Sequence, residues 1–512
     1  MIADESPSPN FLPIMSRPII YFMTDQHRSD HVSFLPGSRV ETPNLGVLAG
    51  TCAFADCLSV NPVCAPMRSA LLTGKYTHQI GLQNNNGDLS RQHPTYLRAL
   101  QGAGYHTAAS GKLHWISGWS GPEWPRGGAY DLPRLRDDML AYGLDALWES
   151  SGKGSAIQNN DDYTEYLAAH GLLEAYRDHA VSRAFNRDKQ RMVGVSYEEL
   201  EVDSADPLPI GDEHYVDAVT AREAIRLIRE RPKDKPLYLF VSFNGPHPFY
   251  DPPKRFFDGE TEPAEEPAFV PGPDGGVPTG SKAEHLRKLR RSYRAMVRAI
   301  DHYTGEILDA LKEEGLFDEA LLGFVSDHGE MLGDHLAMSK SKPWKESANV
   351  PLGFRHPDAP GAGRVSNTPV ESNDLTATIL DFAGLDATKV LSQPRPGFHD
   401  RVPCRSLLPV IRGEAAAVRD FAFSEGAPGW KMVQDENWKY IRYPRPEPGP
   451  AVEAMYNRVE DPGEQVNRAG DADCAAVLQT MRDRLDWVLE STPTAQLRWA
   501  PLPGEATRPT VG

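Results

Sequence analysis

The 512-residue chain lacks any apolar run approaching the roughly 20 residues that cross a bilayer, and its mean hydropathy is −0.48. No membrane helix is expected from it. Its first residues carry no basic leader followed by an apolar stretch, so no secretory signal is expected either. Cysteine is scarce: Cys52, Cys57, Cys64, Cys404 and Cys474 are odd in number and unevenly spread, which argues against a disulfide framework. They fit a reducing compartment, with Cys52 and Cys57 as structural thiols, and a soluble cytoplasmic protein is the expectation. Basic residues are also in deficit, 54 against 71 acidic, for a net charge of −17. That balance disfavours nucleic acid and anionic membranes as partners. It also repels anions at long range, so any anion site needs a local positive patch.

The length suggests one large domain and a smaller one. A continuous apolar run over 18–25 ends in Asp25, as expected of a buried parallel strand whose carboxyl end carries chemistry. Similar runs over 236–243 and 320–326 end at Asn244-Gly245-Pro246-His247-Pro248 and at Asp327-His328-Gly329-Glu330. Between them the spacing predicts a strand over 53–60, a helix over 96–103 closed by Gly104, a strand over 105–110, and helices over 214–229 and 282–313. The stretch 118–212 has weak periodicity and many Trp, Pro and Gly residues, and reads as insertions around a site, with Trp119, Trp124, Trp148 and Tyr163 shaping a pocket. A second loop covers 251–280. Two short antiparallel strands are expected over 421–425 and 430–443, the latter turning at 435–437, followed by a helix over 475–490. The division is therefore an extension over 1–17, a catalytic domain over 18–415, a subdomain over 416–490 and a Pro-rich tail over 491–512 that is either disordered or an oligomerisation arm. A homo-oligomer follows from the second option.

Asp25-Gln26 and Asp327-His328 place two ligand pairs at two strand ends, the way a discontinuous metal site is assembled. Lys112 and His114 follow another predicted strand, and residues two apart in extended chain share a face. Cys64-Ala65-Pro66-Met67-Arg68, continuing through Leu72-Thr73-Gly74, puts Arg68 one helical turn beyond Cys64. Each has a plainer explanation: a small buried thiol, a solvated arginine, a surface salt bridge, a rigid proline turn at His247.

Taken together these motifs resemble the type I sulfatases of the alkaline phosphatase superfamily. The resemblance spans about 18–465, with 118–212 matching poorly. It implies an α/β sandwich with a large central mixed sheet flanked by helices and a smaller C-terminal antiparallel sheet. In that family the Cys of Cys-x-Pro-x-Arg is oxidised to formylglycine by a formylglycine-generating or an anaerobic sulfatase-maturing enzyme. Its hydrate is the nucleophile, and one hydroxyl attacks while the other later expels the anion. Met67 stands where Ser or Ala is usual. The resemblance assigns one divalent cation, Ca²⁺ foremost with Mn²⁺ or Mg²⁺ possible, to Asp25, Gln26, residue 64, Asp327 and His328. Gln26 stands where many relatives have Asp, and His328 where some have Asn. Lys112 would bridge the nucleophile and the ester, His114 would deprotonate the retained hydroxyl, and His247 would protonate the leaving oxygen. Lys340, in Lys-x3-aromatic-x-x-Ser-x3-Pro, would grip the ester, with Lys342 and Lys345 as alternatives. Arg68, Lys112 and Lys340 would then supply the positive patch.

The activity so implied is an arylsulfatase-like sulfuric ester hydrolase acting on small-molecule sulfate monoesters. A phosphonate monoester or phosphodiester hydrolase of the same superfamily is the alternative; those relatives commonly lack the Gly-Lys-x-His pair that stands here at 111–114. Two further alternatives are a catalytically silent binding protein that keeps Cys64 as a thiol, and a cysteine-nucleophile hydrolase pairing Cys64 with His114. The last leaves Asp25 and Asp327 idle.

Overall fold

A computed structural model describes residues 17–116, 130–186, 191–192, 205–260, 267–359, 361, 363–393, 400–427, 429–444 and 452–494. Trp119, Trp124 and most of the Pro-rich tail, and with it the oligomerisation expectation, lie outside the described residues.

The apolar run at the start of the chain forms β1 (Ile19–Asp25), every residue of which is buried. Its side chains alternate between two cores: Ile19, Tyr21 and Met23 pack on one face of the sheet, Ile20 and Phe22 on the other. Each fully buried chain of this size contributes roughly 1.5–3 kcal/mol, so a strand apolar on both faces is stable only between two layers of helices. The remaining strands are β2 (Cys52–Phe54), β3 (His106–Gly111), β4 (Ala146–Glu149), β5 (Leu237–Pro246), β6 (Leu321–Ser326), β7 (Leu352–Arg355) and β8 (Arg364–Ser366). They form one eight-stranded sheet in the order β8-β2-β7-β6-β1-β5-β3-β4. β7 pairs antiparallel with both β2 and β6, and the other pairings are parallel.

On the first face lie α1 (Cys64–Thr73), α2 (Tyr96–Gly102) and α5 (Asp374–Phe382); on the second lie α3 (Val216–Glu230) and the 34-residue α4 (Gly280–Glu313). Behind them, β9 (Ala422–Gly426), β10 (Trp430–Gln434), β11 (Trp438–Arg442) and β12 (Glu453–Asn457) make a four-stranded antiparallel sheet. Helix α6 (Ala475–Ser491) packs Leu478, Met481, Leu485 and Val488 on its Phe423, Val433, Tyr440 and Met455. The architecture is the α/β sandwich with a smaller C-terminal sheet anticipated above.

Two local expectations are corrected. The strand expected over 53–60 is two: β2 joins the main sheet, while Cys57–Leu58 leaves it to pair with Val370–Glu371. The polar Asp56 between them, bridged to Arg458, turns the chain out of the sheet. The stretch 118–212 is more than an excursion. Its described part supplies the edge strand β4 and helices Leu132–Leu140, Asp162–Ala169 and Leu173–Ala184. Four residues of strand leave little alternation to read.

Candidate active site

Parallel strands deliver their carboxyl ends to one edge of the sheet, and the polar clusters collect there. β1 ends at Asp25, β6 is followed by Asp327 and His328, β3 by Lys112, and β5 by His247. Pairing of β1 with β5 slips between Met23 and Asp25, so β5 runs on to Pro246 where β1 stops. Cys64 opens α1, where Pro66 costs nothing because the first amides of a helix have no partner within it. Gly74 closes α1 at φ 68.

One ligand atom from each of Asp25, Cys64, Asp327 and His328 lies within 4.8 Å of the others, and all four residues are buried. The Cys64 Sγ is 3.2 Å from His328 Nε2 and 3.7 Å from Asp25 Oδ1. Gln26 holds an unusual backbone conformation at φ 69; its amide donates to Asp327 Oδ1 at 3.0 Å and its side-chain nitrogen to Glu330. Its Oε1 is buried without a partner. Two carboxylates, an imidazole and an orphaned amide oxygen fit a divalent cation.

Positive groups close the other side. Lys340 Nζ is 2.8 Å from Cys64 Sγ and 3.0 Å from His247 Nε2. Lys112 Nζ reaches Asp25 Oδ2 at 2.5 Å. Arg68, 1 % exposed, donates from Nε to Asp327 Oδ2 at 2.9 Å and from Nη1 to Lys112 O and Ser242 Oγ. Lys342 and Lys345 are exposed, so Lys340 is the lysine brought to the cluster. His114, half-buried at φ 59, completes it. The ten residues given a catalytic or metal role are thus gathered at this edge of the sheet, whereas Trp148 and Tyr163, expected to shape a pocket, are buried in the hydrophobic core. Glu330, the last residue of the strand-end cluster, receives Gln26. Sequence reading missed Ser242, which receives Arg68, and Asn85, whose Oδ1 accepts the Ala65 amide at 3.0 Å. Nothing local marks these two.

Burial resists ionisation of the Cys64 thiol, but Lys340 and Lys112 outweigh it and hold its pKa well below the ordinary range. Burial and the sulfur push the Asp25 carboxyl up; Lys112, His247 and Lys340 reverse this and leave it lowered. Burial lowers both His114 and His247, Lys340 adding to the effect on the latter, so both are neutral near pH 7. His328 is buried too, yet Asp327 raises it. The arrangement is a nucleophile position flanked by carboxylates on one side and by donors for an anion on the other.

Residues 17–385 match the profile of the Sulfatase family. The chain belongs to the sulfatase family. It is 28% identical over 427 residues to an arylsulfatase of Clostridium perfringens, covering 80% of this chain and 81% of that protein. It is 26% identical over 499 residues to a choline-sulfatase of Rhizobium meliloti, covering 88% and 82%. Among solved structures, the phosphonate monoester hydrolase of Agrobacterium radiobacter superposes with a TM-score of 0.70 at 24% identity, covering 93% of this chain and 96% of that one, a likeness of fold. As a member of this family the protein is a sulfuric ester hydrolase, and the family implies a metal and a formylglycine at the site.

Proposed function

We propose that the protein hydrolyses sulfate monoesters at position 64, matured from cysteine to formylglycine by a formylglycine-generating or anaerobic sulfatase-maturing enzyme. Asp25, Gln26, Asp327 and His328, with residue 64, would hold one divalent cation, Ca²⁺ before Mn²⁺ or Mg²⁺. Metal and aldehyde hydrate together supply an acidified hydroxyl to attack sulfur and a second hydroxyl whose deprotonation releases sulfate.

The chain's own residues do the rest. Lys340 and Lys112 bind the ester oxygens and neutralise charge in a largely buried site. Arg68 fixes Asp327 and the Lys112 carbonyl, keeping both strand ends in register with α1. His114, neutral by burial, takes the proton of the retained hydroxyl. His247 shares a hydrogen bond with Lys340, and the pair hands a proton to the leaving oxygen. The observation that carries this reading is Lys340 Nζ standing between Cys64 Sγ and His247 Nε2, opposite the Asp25, Asp327 and His328 group. A cytoplasmic location is proposed with it, since all five cysteines are unpaired.

Two measurements test the proposal. The tryptic peptide spanning 40–68 should lose sulfur and two hydrogens and gain one oxygen when the protein is made with a maturation enzyme. Purified enzyme should then prefer an aryl sulfate to phenyl phosphonate. A preference for the phosphonate above about tenfold in kcat/KM, about 1.4 kcal/mol of transition-state binding, overturns the assignment.

A further inference from the structure

Several buried ion pairs lie outside the cluster at Cys64, and one of them adjoins the loop that carries His247. Lys153 and Asp251 are each 1% exposed at the side chain and form an ion pair of 2.5 Å. Burying such a pair costs several kcal/mol per ion and seldom adds net stability over apolar packing. Its placement along the chain supplies a reason for it. Lys153 Nζ also donates to the carbonyl oxygen of Phe249, and His179 Nε2 lies 3.4 Å from the second oxygen of Asp251. The Lys153 carbonyl is fixed in turn by the Tyr176 hydroxyl at 3.1 Å. Residues 249–251 are thus pinned to the stretch 153–179.

The same strand end is pinned a few residues earlier. Asp217, on α3 and fully buried, accepts the amide of Asn244 at 2.6 Å and that of Gly245 at 3.0 Å. Between the two anchors stands His247. Its Nδ1 donates to the carbonyl oxygen of Pro248 at 2.7 Å, which leaves Nε2 to accept from Lys340. A ring in the other tautomer would set an N–H against the Lys340 ammonium, donor against donor.

We propose that Lys153 and Asp251, together with Asp217, are positioning residues for His247. They hold the Pro248 carbonyl where it fixes the Nδ1–H tautomer and turns the Nε2 lone pair to the Lys340 ammonium. The inference rests on the acid role given to the His247–Lys340 pair above. In that role the S–O bonding pair goes to the leaving oxygen, and that oxygen takes a proton from the Lys340 ammonium, which His247 Nε2 holds in place. Lys153 touches none of the reacting atoms and acts only through the backbone of 248–251.

Leaving-group dependence separates this from a merely structural role, because a good leaving group needs no proton. Matured enzyme is assayed on para-nitrophenyl sulfate and on unsubstituted phenyl sulfate, with Lys153→Met, Asp251→Asn, His247→Ala and the Lys153→Met/His247→Ala pair. Lys153→Met should lower kcat/KM for phenyl sulfate by about a hundredfold and for the nitro ester by less than about threefold, the pattern of His247→Ala. The double variant should lose no more than His247→Ala alone. Should Lys153→Met fail to fold, Asp251→Asn, which keeps shape and drops charge, must show the same pattern. Equal losses on both esters, or losses that add to those of His247→Ala, overturn the proposal. So does a rise in KM alone, which would mean an effect through Lys112, since a side chain at Gly152 would come within 3.6 Å of its Nζ. If His247→Ala itself shows no leaving-group dependence, the acid role of the His247–Lys340 pair falls and the proposal with it. If His247→Ala shows the dependence and the Lys153 and Asp251 variants do not, only the proposal falls.

Discussion

Replacing Lys340 by Met removes the ammonium 2.8 Å from Sγ of Cys64 and leaves the shape of the loop nearly unchanged. Two consequences can be worked out. In matured enzyme the lost donor faces charge that develops in the transition state, and such donors contribute about 10²–10³ in kcat, or roughly 3–4 kcal/mol. In unmatured protein the same ammonium stabilises a thiolate. Unit charges at that separation attract by about 6 kcal/mol at an effective dielectric of about 20, and even a third of this moves a thiol by more than about one pH unit. Lys340→Met should therefore raise the pKa of the Cys64 thiol and slow its alkylation by iodoacetamide near pH 7. The readout is the alkylated peptide 40–68, whose other thiols, Cys52 and Cys57, burial holds above their ordinary value. Lys342→Met, at an exposed position, should change both readouts by less than about twofold. If the Lys342 variant loses as much activity as the Lys340 variant, or if the thiol titrates unchanged without Lys340, the placement of this loop is wrong.

Three further outcomes follow from the geometry. Gly111 sits at φ 104, and a Cβ there would stand 1.9 Å from the Ser242 carbonyl oxygen, so Gly111→Ala should cost about 3 kcal/mol or more, read by urea unfolding. Near-wild-type stability would contradict the pairing of β3 with β5. Burial, reinforced by Asp161 and Asp162 against the Tyr130 hydrogen bond, pushes the Glu149 carboxyl up to about 8. The folded state then holds a proton that the unfolded chain has released, so this group's contribution to stability is full below about pH 4.5 and fades as the pH rises towards 8; Glu149→Gln should remove up to about 5 kcal/mol of this pH-dependent change in stability, and an unchanged pH dependence refutes it. Exhaustive chelation should abolish turnover and lower Tm, since a cation at a thousand times its Kd stabilises by about 4 kcal/mol, and re-addition of Ca²⁺, Mn²⁺ and Mg²⁺ ranks the ions; full activity after chelation would count against a metal at Asp25 and Asp327.

The part of the site that sequence reveals is the part carried by strand ends. A strand buried on both faces must be apolar throughout, so the first polar residue after it, Asp25 or Asp327, stands out however far apart the two lie in the chain. Lys340 was legible only as one of three lysines, because the choice between it and Lys342 depends on a turn at Ser339 and Ser341, both at positive φ. The supports were not legible at all. Lys153, Asp217 and Asp251 sit in no repeating pattern and meet only because β4, α3 and the loop after β5 converge. Asn85 and Ser242 are polar residues of ordinary local context whose partners, the Ala65 amide and Arg68, are fixed by tertiary packing.

The C-terminal sheet is best understood from the same loop. Trp430 on β10 donates from Nε1 to the Ser341 carbonyl at 3.2 Å, and Lys439 on β11 from Nζ to the Pro343 carbonyl at 3.0 Å. Lys439 is fully buried and paired with Glu464, whose carboxylate also accepts the Lys345 amide at 3.3 Å. Carbonyl groups on both sides of Lys342 are therefore held by side chains that come from a separate sheet. A loop with positive φ at two positions carries backbone strain that its own residues do not relieve, and it keeps one conformation only where its surroundings impose it. That is the work of β10, β11 and Glu464. It explains how a chain with a net charge of −17 keeps Lys340 against the nucleophile: the cation is presented by a backbone clamped from behind, while its own side chain stays committed to Cys64 and His247.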